Sequence, residues 1–404
     1  MPSPARRAAF RVVRRVAEQG AFADQAFHAE AARLDARDRA LARQIAFGAI
    51  QRRRTLDHVI TALGARRRLD PPIRAALQTG LFQVLFLDGI PDHAAVDESV
   101  ELVRRSRGSG LVNAVLRRAT REGRDVLDAI DDDAVRHSVP DWLATLWRDA
   151  YGAETAMALM ARANEPLELA LRPNTLKATA QEVAAGTGGR VVEGAVVVDG
   201  PLDAHAHPLW QAGAYMPQSR SSQRVAPALG AQPGERVLDL CSAPGGKATH
   251  LAALMRDEGE IVAVEKDADR ADQLRTTIDR MGATIVRVEV ADAAGWDGTG
   301  FDRVLADPPC SGLGTLQAKP DLRWRMTPER IEGLVDEQRR ILDTATRAVR
   351  PGGVLVWSTC TLNPAENEEL LAGLEGFEVT ERLTLMPHET RSAGFQVTRL
   401  QSVA

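Results

Sequence analysis

The chain has little cysteine, no long apolar run and no repeat, and each shortage excludes something. Its three cysteines, Cys241, Cys310 and Cys360, lie far apart and none belongs to a CxxC pair. That argues against a disulfide framework or a zinc knuckle and leaves single thiols with room for chemistry. No stretch approaches the roughly twenty consecutive apolar residues that a membrane-spanning helix needs. The N-terminus carries Arg6, Arg7, Arg11, Arg14 and Arg15 among short apolar residues and lacks the central apolar stretch of a secretion signal. A cytoplasmic location is therefore expected, without membrane attachment. Internal repeats and low-complexity tracts are also absent, which argues against a solenoid or a disordered chain.

What is present suits a globular protein: 44% hydrophobic and 26% charged residues over 404 positions. That length exceeds one core's usual size, so two or three domains are expected. The net charge of −4 hides an asymmetry, since residues 1–125 hold 23 Arg against 14 Asp and Glu. The basic end suits either solvated helix faces or contact with a polyanion.

Residues 5–130 read as helices, with Ala8, Val12, Val13 and Val16 at helical spacing, and likewise Leu77, Leu81 and Leu85. Breaks fall at Gly64, Asp70-Pro71-Pro72 and Gly89-Ile90-Pro91. Residues 131–215 mix a helix, Trp142 to Met160, with single strands expected at Leu167 to Leu171 and Val191 to Val198. From about 235 short apolar strands alternate with helices, the signature of a parallel sheet covered on both faces. The strands expected are Arg236 to Leu240, Ile261 to Val264, Thr284 to Val290, Phe301 to Ala306 and Val354 to Ser358, with Phe377 to Leu383 and Phe395 to Leu400 as a closing antiparallel pair. Thr327 caps a helix running to Val349, and Pro351-Gly352-Gly353 is expected to reverse the chain into the next strand. The division is thus 1–130 all-helical, 131–215 a connecting α/β module and 216–404 the domain carrying the chemistry.

The candidate site lies at the carboxyl ends of those strands, where open α/β sheets bind ligands. Cys241-Ser242-Ala243-Pro244-Gly245-Gly246-Lys247 follows the first strand and lets backbone pass close under a ligand. Glu265 ends the second, where its two carboxylate oxygens could take ribose hydroxyls, and Asp292 follows the third, placed for an adenine edge. A dinucleotide would require G-x-G-x-x-G, and this loop reads A-P-G-G-K. The fourth and fifth strands deliver Asp307-Pro308-Pro309-Cys310 and Ser358-Thr359-Cys360 to the same end. Two thiols meeting there suit a carbon centre too weak to take a methyl group unaided, as at C5 of cytosine. A thiolate adds to C6 to activate the ring, and a second group removes the C5 proton so that the thiolate can leave. Asp307 would hydrogen-bond the cytosine during that addition. Cys241 has no such task.

V-L-D-L-C-S-A-P-G-G-K-A-T, D-P-P-C-S-G-L-G, K-P-D-L-R-W and S-T-C-T-L-N-P-A-E-N-E together resemble the RsmB (Sun/Fmu) family of ribosomal RNA cytosine C5-methyltransferases, within the NOL1/NOP2/Sun group. Arg172-Pro173-Asn174-Thr175 is similar to a family segment before the catalytic domain, and the helical N-terminus resembles a NusB-like RNA-binding domain. The resemblance implies a Rossmann-like class I methyltransferase sheet preceded by an all-α NusB-like domain and a small α/β module. It implies S-adenosylmethionine as cofactor, held by Cys241 to Lys247, Glu265, Asp292 and Asp307, with Cys360 as nucleophile, Cys310 assisting product release and proton removal, and Asp307 also contacting the cytosine. The implied partner is RNA, small-subunit ribosomal RNA in particular; apart from the resemblance, a monomer without a metal is expected. His205 and His207 lack an evident third ligand. Lys319, Arg323, Trp324 and Arg325 are expected to line the RNA channel, although Trp324 suits the core equally well. A D-P-P-Y-type amino-group methyltransferase and a noncatalytic RNA-binding factor are the competing functions, and the two thiols disfavour both.

Overall fold

The computed structural model describes residues 1–65, 68–200 and 202–403. Its contacts group into two units: residues 1–165 with 316–326, and residues 166–315 with 327–404. The expected three-part division follows local texture, whereas contacts place the helix Asp141–Arg162 with the N-terminal helices and the small sheet with the large one. No helix among the described residues is long and apolar enough to cross a membrane.

The first unit is helical throughout. Pro71–Phe86 is its central helix, with Asp70 preceding two prolines at its start and buried residues on every side from Ile73 to Leu85. A helix apolar all round must lie inside, and this one packs on Pro4–Gln19, Asp92–Leu102 and Ser109–Asp128. Asp141–Arg162 replaces the helix expected from Trp142 to Met160 and breaks at Gly152, whose φ of 82° no helix accepts.

The eleven strands among the described residues all lie in the second unit. The small antiparallel sheet has order β2-β3-β1-β4, from β1 (Leu169–Pro173), β2 (Arg190–Val192), β3 (Ala195–Val198) and β4 (Tyr215–Pro217). The single strand expected over Val191 to Val198 is thus a hairpin. Glu193 and Gly194 both take positive φ, which a tight two-residue turn requires.

The large sheet comprises β5 (Arg236–Leu240), β6 (Glu260–Glu265), β7 (Val286–Val290), β8 (Phe301–Ala306), β9 (Val349–Thr359), β10 (Phe377–Leu385) and β11 (Phe395–Ser402). Its order is β10-β11-β9-β8-β5-β6-β7, parallel from β9 to β7 and antiparallel at β9–β11–β10. Alternate residues face opposite sides. Val237, Ile261, Leu305 and Val356 belong to one core, while Leu238, Val262, Val304 and Leu355 belong to the other. The helix Pro328–Ala348 runs directly into β9, so Pro351-Gly352-Gly353 forms no separate turn. It sits in an irregular opening where the partner of Phe301 is Val349 and that of Arg303 is Val354. Order reverses at β5, flanked by β6 and β8, and the crevice at such a switch point is where these sheets take ligands.

One expectation fails in the first unit. Arg323 lines no channel: it is 0% exposed, and its Nη atoms donate to Gln51 O, Ser138 O, Ala163 O, Leu316 O and Asn164 Oδ1 at 2.8–3.4 Å. Trp324 Nε1 donates to Ile50 O at 2.7 Å, and Arg325 stacks on Phe22 while bonding Gly20 O. A guanidinium's planar fork serves clustered carbonyls as well as phosphates, and here carbonyls hold it. Lys319 alone of the four is exposed. Arg323→Ala should therefore lower the stability of the full chain by roughly 3 kcal/mol or more, because it strands several buried acceptors. An unchanged urea midpoint in the variant would contradict this role.

Candidate active site

The loop after β5 leaves the strand at Cys241 with φ 64° and enters the helix Ala248–Leu254. Gly245 has φ +97°, and a Cβ there would meet Leu274 Cδ1 at 2.8 Å, so the loop packs tightly beneath. Three groups fix its backbone. Arg172 bonds Gly246 O and donates to Thr249 Oγ1 at 2.9 Å, Arg270 donates to Ala243 O at 2.9 Å, and Ser242 N donates to Val264 O at 3.0 Å. Burial, with Arg280 adding to it, lowers the Arg172 guanidinium to about 9.

Two cavities share Cys241 as a wall. One, about 160 Å³, is lined by Asp239, the Cys241 to Pro244 segment, Gly246, Lys247 and Asp307, with Gln218 and Ser222 opposite. The other, about 20 Å³, is lined by Glu265, Lys266, Arg270, Asp292 and Pro309. Every residue expected from Cys241 to Asp307 except Gly245 lines one of the two. Asp239, not singled out from the sequence, is 0% exposed and accepts from Ser242 Oγ at 2.7 Å, while its Oδ1 has no hydrogen bond. Burial pushes its carboxyl up to about 7, against the pull of Ser242 and Lys247. Glu265 accepts from Asp267 N at 3.1 Å, and its Oε2 faces Arg270 at 3.4 Å without a hydrogen bond. Asp292 is exposed and caps a short turn by accepting from Ala294 N at 2.9 Å.

Cys310 Sγ and Cys360 Sγ lie 3.3 Å apart. Asp307 sits beside them, bonded to Lys247 Nζ and accepting from Ser358 Oγ at 3.0 Å. Burial alone would lower the Lys247 ammonium, but Asp307 more than offsets that, and Asp239 and Cys360 add to it. The hydrogen bond to Cys360, burial and nearby negative charge push the Cys310 thiol well up. That environment favours the thiol form of Cys310. Cys241 is also pushed far up, by burial and then by Asp307, so it remains an inert thiol.

A family model described as 16S rRNA methyltransferase RsmB/F matches residues 226–401, and the NusB family model matches residues 3–121. The chain is 34% identical to the probable ribosomal RNA small subunit methyltransferase B of Synechocystis, over 98% of this chain and 99% of that protein. It is 35% identical to the protein of the same name from Bacillus subtilis, over 84% and 80% respectively. The chain belongs to the RsmB/F methyltransferase family. Among solved structures, the crystal structure of PH0851 matches with a TM-score of 0.80 at 25% identity, covering 100% of this chain and 99% of that one.

S-adenosylmethionine is the methyl donor of RsmB/F enzymes, and the donor set here fits it. The buried Asp239 Oδ1 and Glu265 Oε2 lack hydrogen bonds, and a ligand bearing an ammonium and ribose hydroxyls has donors for both. His205 and His207 serve the local chain: His207 Nδ1 accepts from Leu209 N at 3.2 Å, and His205 packs edge-on against Trp210. No cluster of three or more metal-binding side chains occurs among the described residues.

Asp239 carries a testable linkage. Its carboxyl titrates near 3.8 when unfolded and near 7 when folded. The folded state therefore binds the proton more tightly, and the stability it contributes below pH ~4 is lost as pH rises through ~7, by roughly 4 kcal/mol at most. Without cofactor, Asp239→Asn should flatten the fall in stability between these pH values relative to the wild type. Parallel denaturation curves for the two proteins would rule the shift out.

Proposed function

We propose that this enzyme transfers a methyl group from S-adenosylmethionine to C5 of a cytosine in small-subunit ribosomal RNA, through a covalent adduct between Cys360 Sγ and C6. The observation carrying this reading is the pair of sulfurs 3.3 Å apart at the ends of adjacent parallel strands, beside the cofactor loop and Asp307. An amino-group methyltransferase needs no thiol pair, and a noncatalytic RNA binder needs neither the pair nor the cavity.

Cofactor binding is assigned to the loop Cys241 to Lys247 with Glu265, Asp292 and Asp307. Glu265 takes the ribose hydroxyls and Asp292 approaches the adenine edge, while Asp239, found only in the fold, faces the methionine end. When bound there, the cofactor supplies an electrophilic sulfonium methyl. The Cys360 thiolate adds to C6, favoured by the Lys247 charge nearby. The resulting enamine would take the methyl at C5 as the sulfonium S–CH3 bond breaks, leaving S-adenosylhomocysteine. A base then removes the C5 proton, the C6–S bond breaks, and Cys360 leaves as thiolate. Cys310, held as a thiol against Cys360, assists that release. Asp307 hydrogen-bonds the base; Lys247 and Ser358 each take one lone pair of its two oxygens and leave further acceptor sites for it.

A cytosine inside a duplex hides C5 and C6 from two groups at once, so the target is single-stranded or flipped out. The arginines of the NusB-like unit supply phosphate contacts outside the site, in line with the charge asymmetry. Cys360→Ala should reduce methyl transfer to background, whereas Cys310→Ala should accumulate RNA linked to Cys360, detected as a slow-migrating band sensitive to nuclease. A trap that requires Cys310 instead would reverse the two roles. Bisulfite sequencing of total RNA with and without the gene should show one lost cytosine mark in small-subunit RNA; retention of every mark would refute the substrate.

A further inference from the structure

The two thiols stand on separate loops, and a buried polar knot one residue beyond each holds the loops together. Ser311 Oγ and Thr361 Oγ1 are 2.7 Å apart. Ser311 also bonds Glu366, which is 0% exposed. Its Oε1 accepts from Ser311 N at 2.8 Å and from Gln338 Nε2 at 3.1 Å, and its Oε2 accepts from Ser311 Oγ and from Asn363 Nδ2 at 3.1 Å. Gln338 also donates to Pro309 O at 2.8 Å, and Gly314 N donates to Cys360 O at 3.0 Å. All the partners of Glu366 are neutral. A buried carboxylate is costly unless its lone pairs are filled, and here four donors converge on it from the Cys310 loop, the segment after Cys360 and the helix Pro328–Ala348.

We propose that Glu366 is the positioning residue of the thiol pair, clamping the Cys310 loop to the Cys360 loop so that Cys310 faces Cys360 as its hydrogen-bond donor. The catalytic consequence rests on the reading of Cys360 as nucleophile; the clamp itself does not. A neutral side chain of the same shape would leave two problems. An amide nitrogen at one oxygen position would face donors, and the fixed negative charge near Cys310 would vanish. That charge is one of those raising the Cys310 thiol, so clamp and field act in the same direction.

The test uses the full chain carrying Glu366→Gln, checked for folding by circular dichroism and for S-adenosylmethionine binding by calorimetry. Cys310 alkylation by iodoacetamide, followed against pH by mass spectrometry without RNA, should begin at a pH lower by roughly one. The turnover number for methyl transfer to ribosomal RNA should fall about tenfold or more, with KM changed by less than about twofold. Ser311→Ala keeps the charge and removes one link. It should lower turnover about threefold or more while leaving the alkylation profile near that of the wild type. A folded Glu366→Gln protein with wild-type alkylation and turnover overturns the proposal, and if that variant fails to fold, wild-type turnover in Ser311→Ala does so. A shifted alkylation profile in a chain that methylates no RNA would keep the clamp and sink the functional reading. An unshifted profile and unchanged turnover in a chain that forms the Cys360 adduct would do the reverse.

Discussion

A buried ammonium must meet a counter-charge, and Lys247 meets Asp307. The rest of the site depends on that pairing. Lys247 closes the loop after β5 and Asp307 opens the loop after β8, so the ion pair spans the switch point of the sheet. Ser358, near the end of β9, donates to the same carboxylate. Three neighbouring strand ends thus share one charge, and the loop after β5, the Cys310 loop and the Cys360 strand are brought into common register. The same pairing keeps positive charge near Cys360.

The large sheet makes such register possible. Its parallel centre is covered on both faces, with alternate residues of β5, β6, β8 and β9 divided between two apolar cores. Strands buried on both sides have little freedom to slide, because a one-residue slip would exchange every side chain between faces. Loops at their carboxyl ends therefore emerge from a rigid base. β11 continues the arrangement by pairing antiparallel with β9, setting Gln396 opposite Thr359, one residue before Cys360.

Much of this was legible in the sequence because the chemistry sits in contiguous blocks. Arg236 to Leu240 and Phe301 to Ala306 are bounded as expected, since short apolar runs between turn signals admit few alternatives. Other residues misled for physical reasons. Arg323 suits nucleic acid and helix packing equally well, as a guanidinium fork bonds carbonyls as readily as phosphates. Val191 to Val198 reads as one apolar run, although Glu193-Gly194 turns it back on itself. Arg172 acts on Gly246 across 74 positions, and nothing local announces that reach.

The sequence by itself determined the reaction class, the methyl donor and the order of strands and helices, because motifs and apolar periodicity are local properties that the chain carries wherever it folds. Only the tertiary structure decided which side chains share a cavity and what state they hold. Asp239 became a buried acid whose proton is held more tightly than in water, Cys310 a thiol set against Cys360, and Glu366 the centre of a four-donor knot. The physical reason is that burial, counter-charge and hydrogen-bond satisfaction depend on neighbours that are distant in sequence, and these set the protonation and aim of a side chain whose identity alone leaves both open.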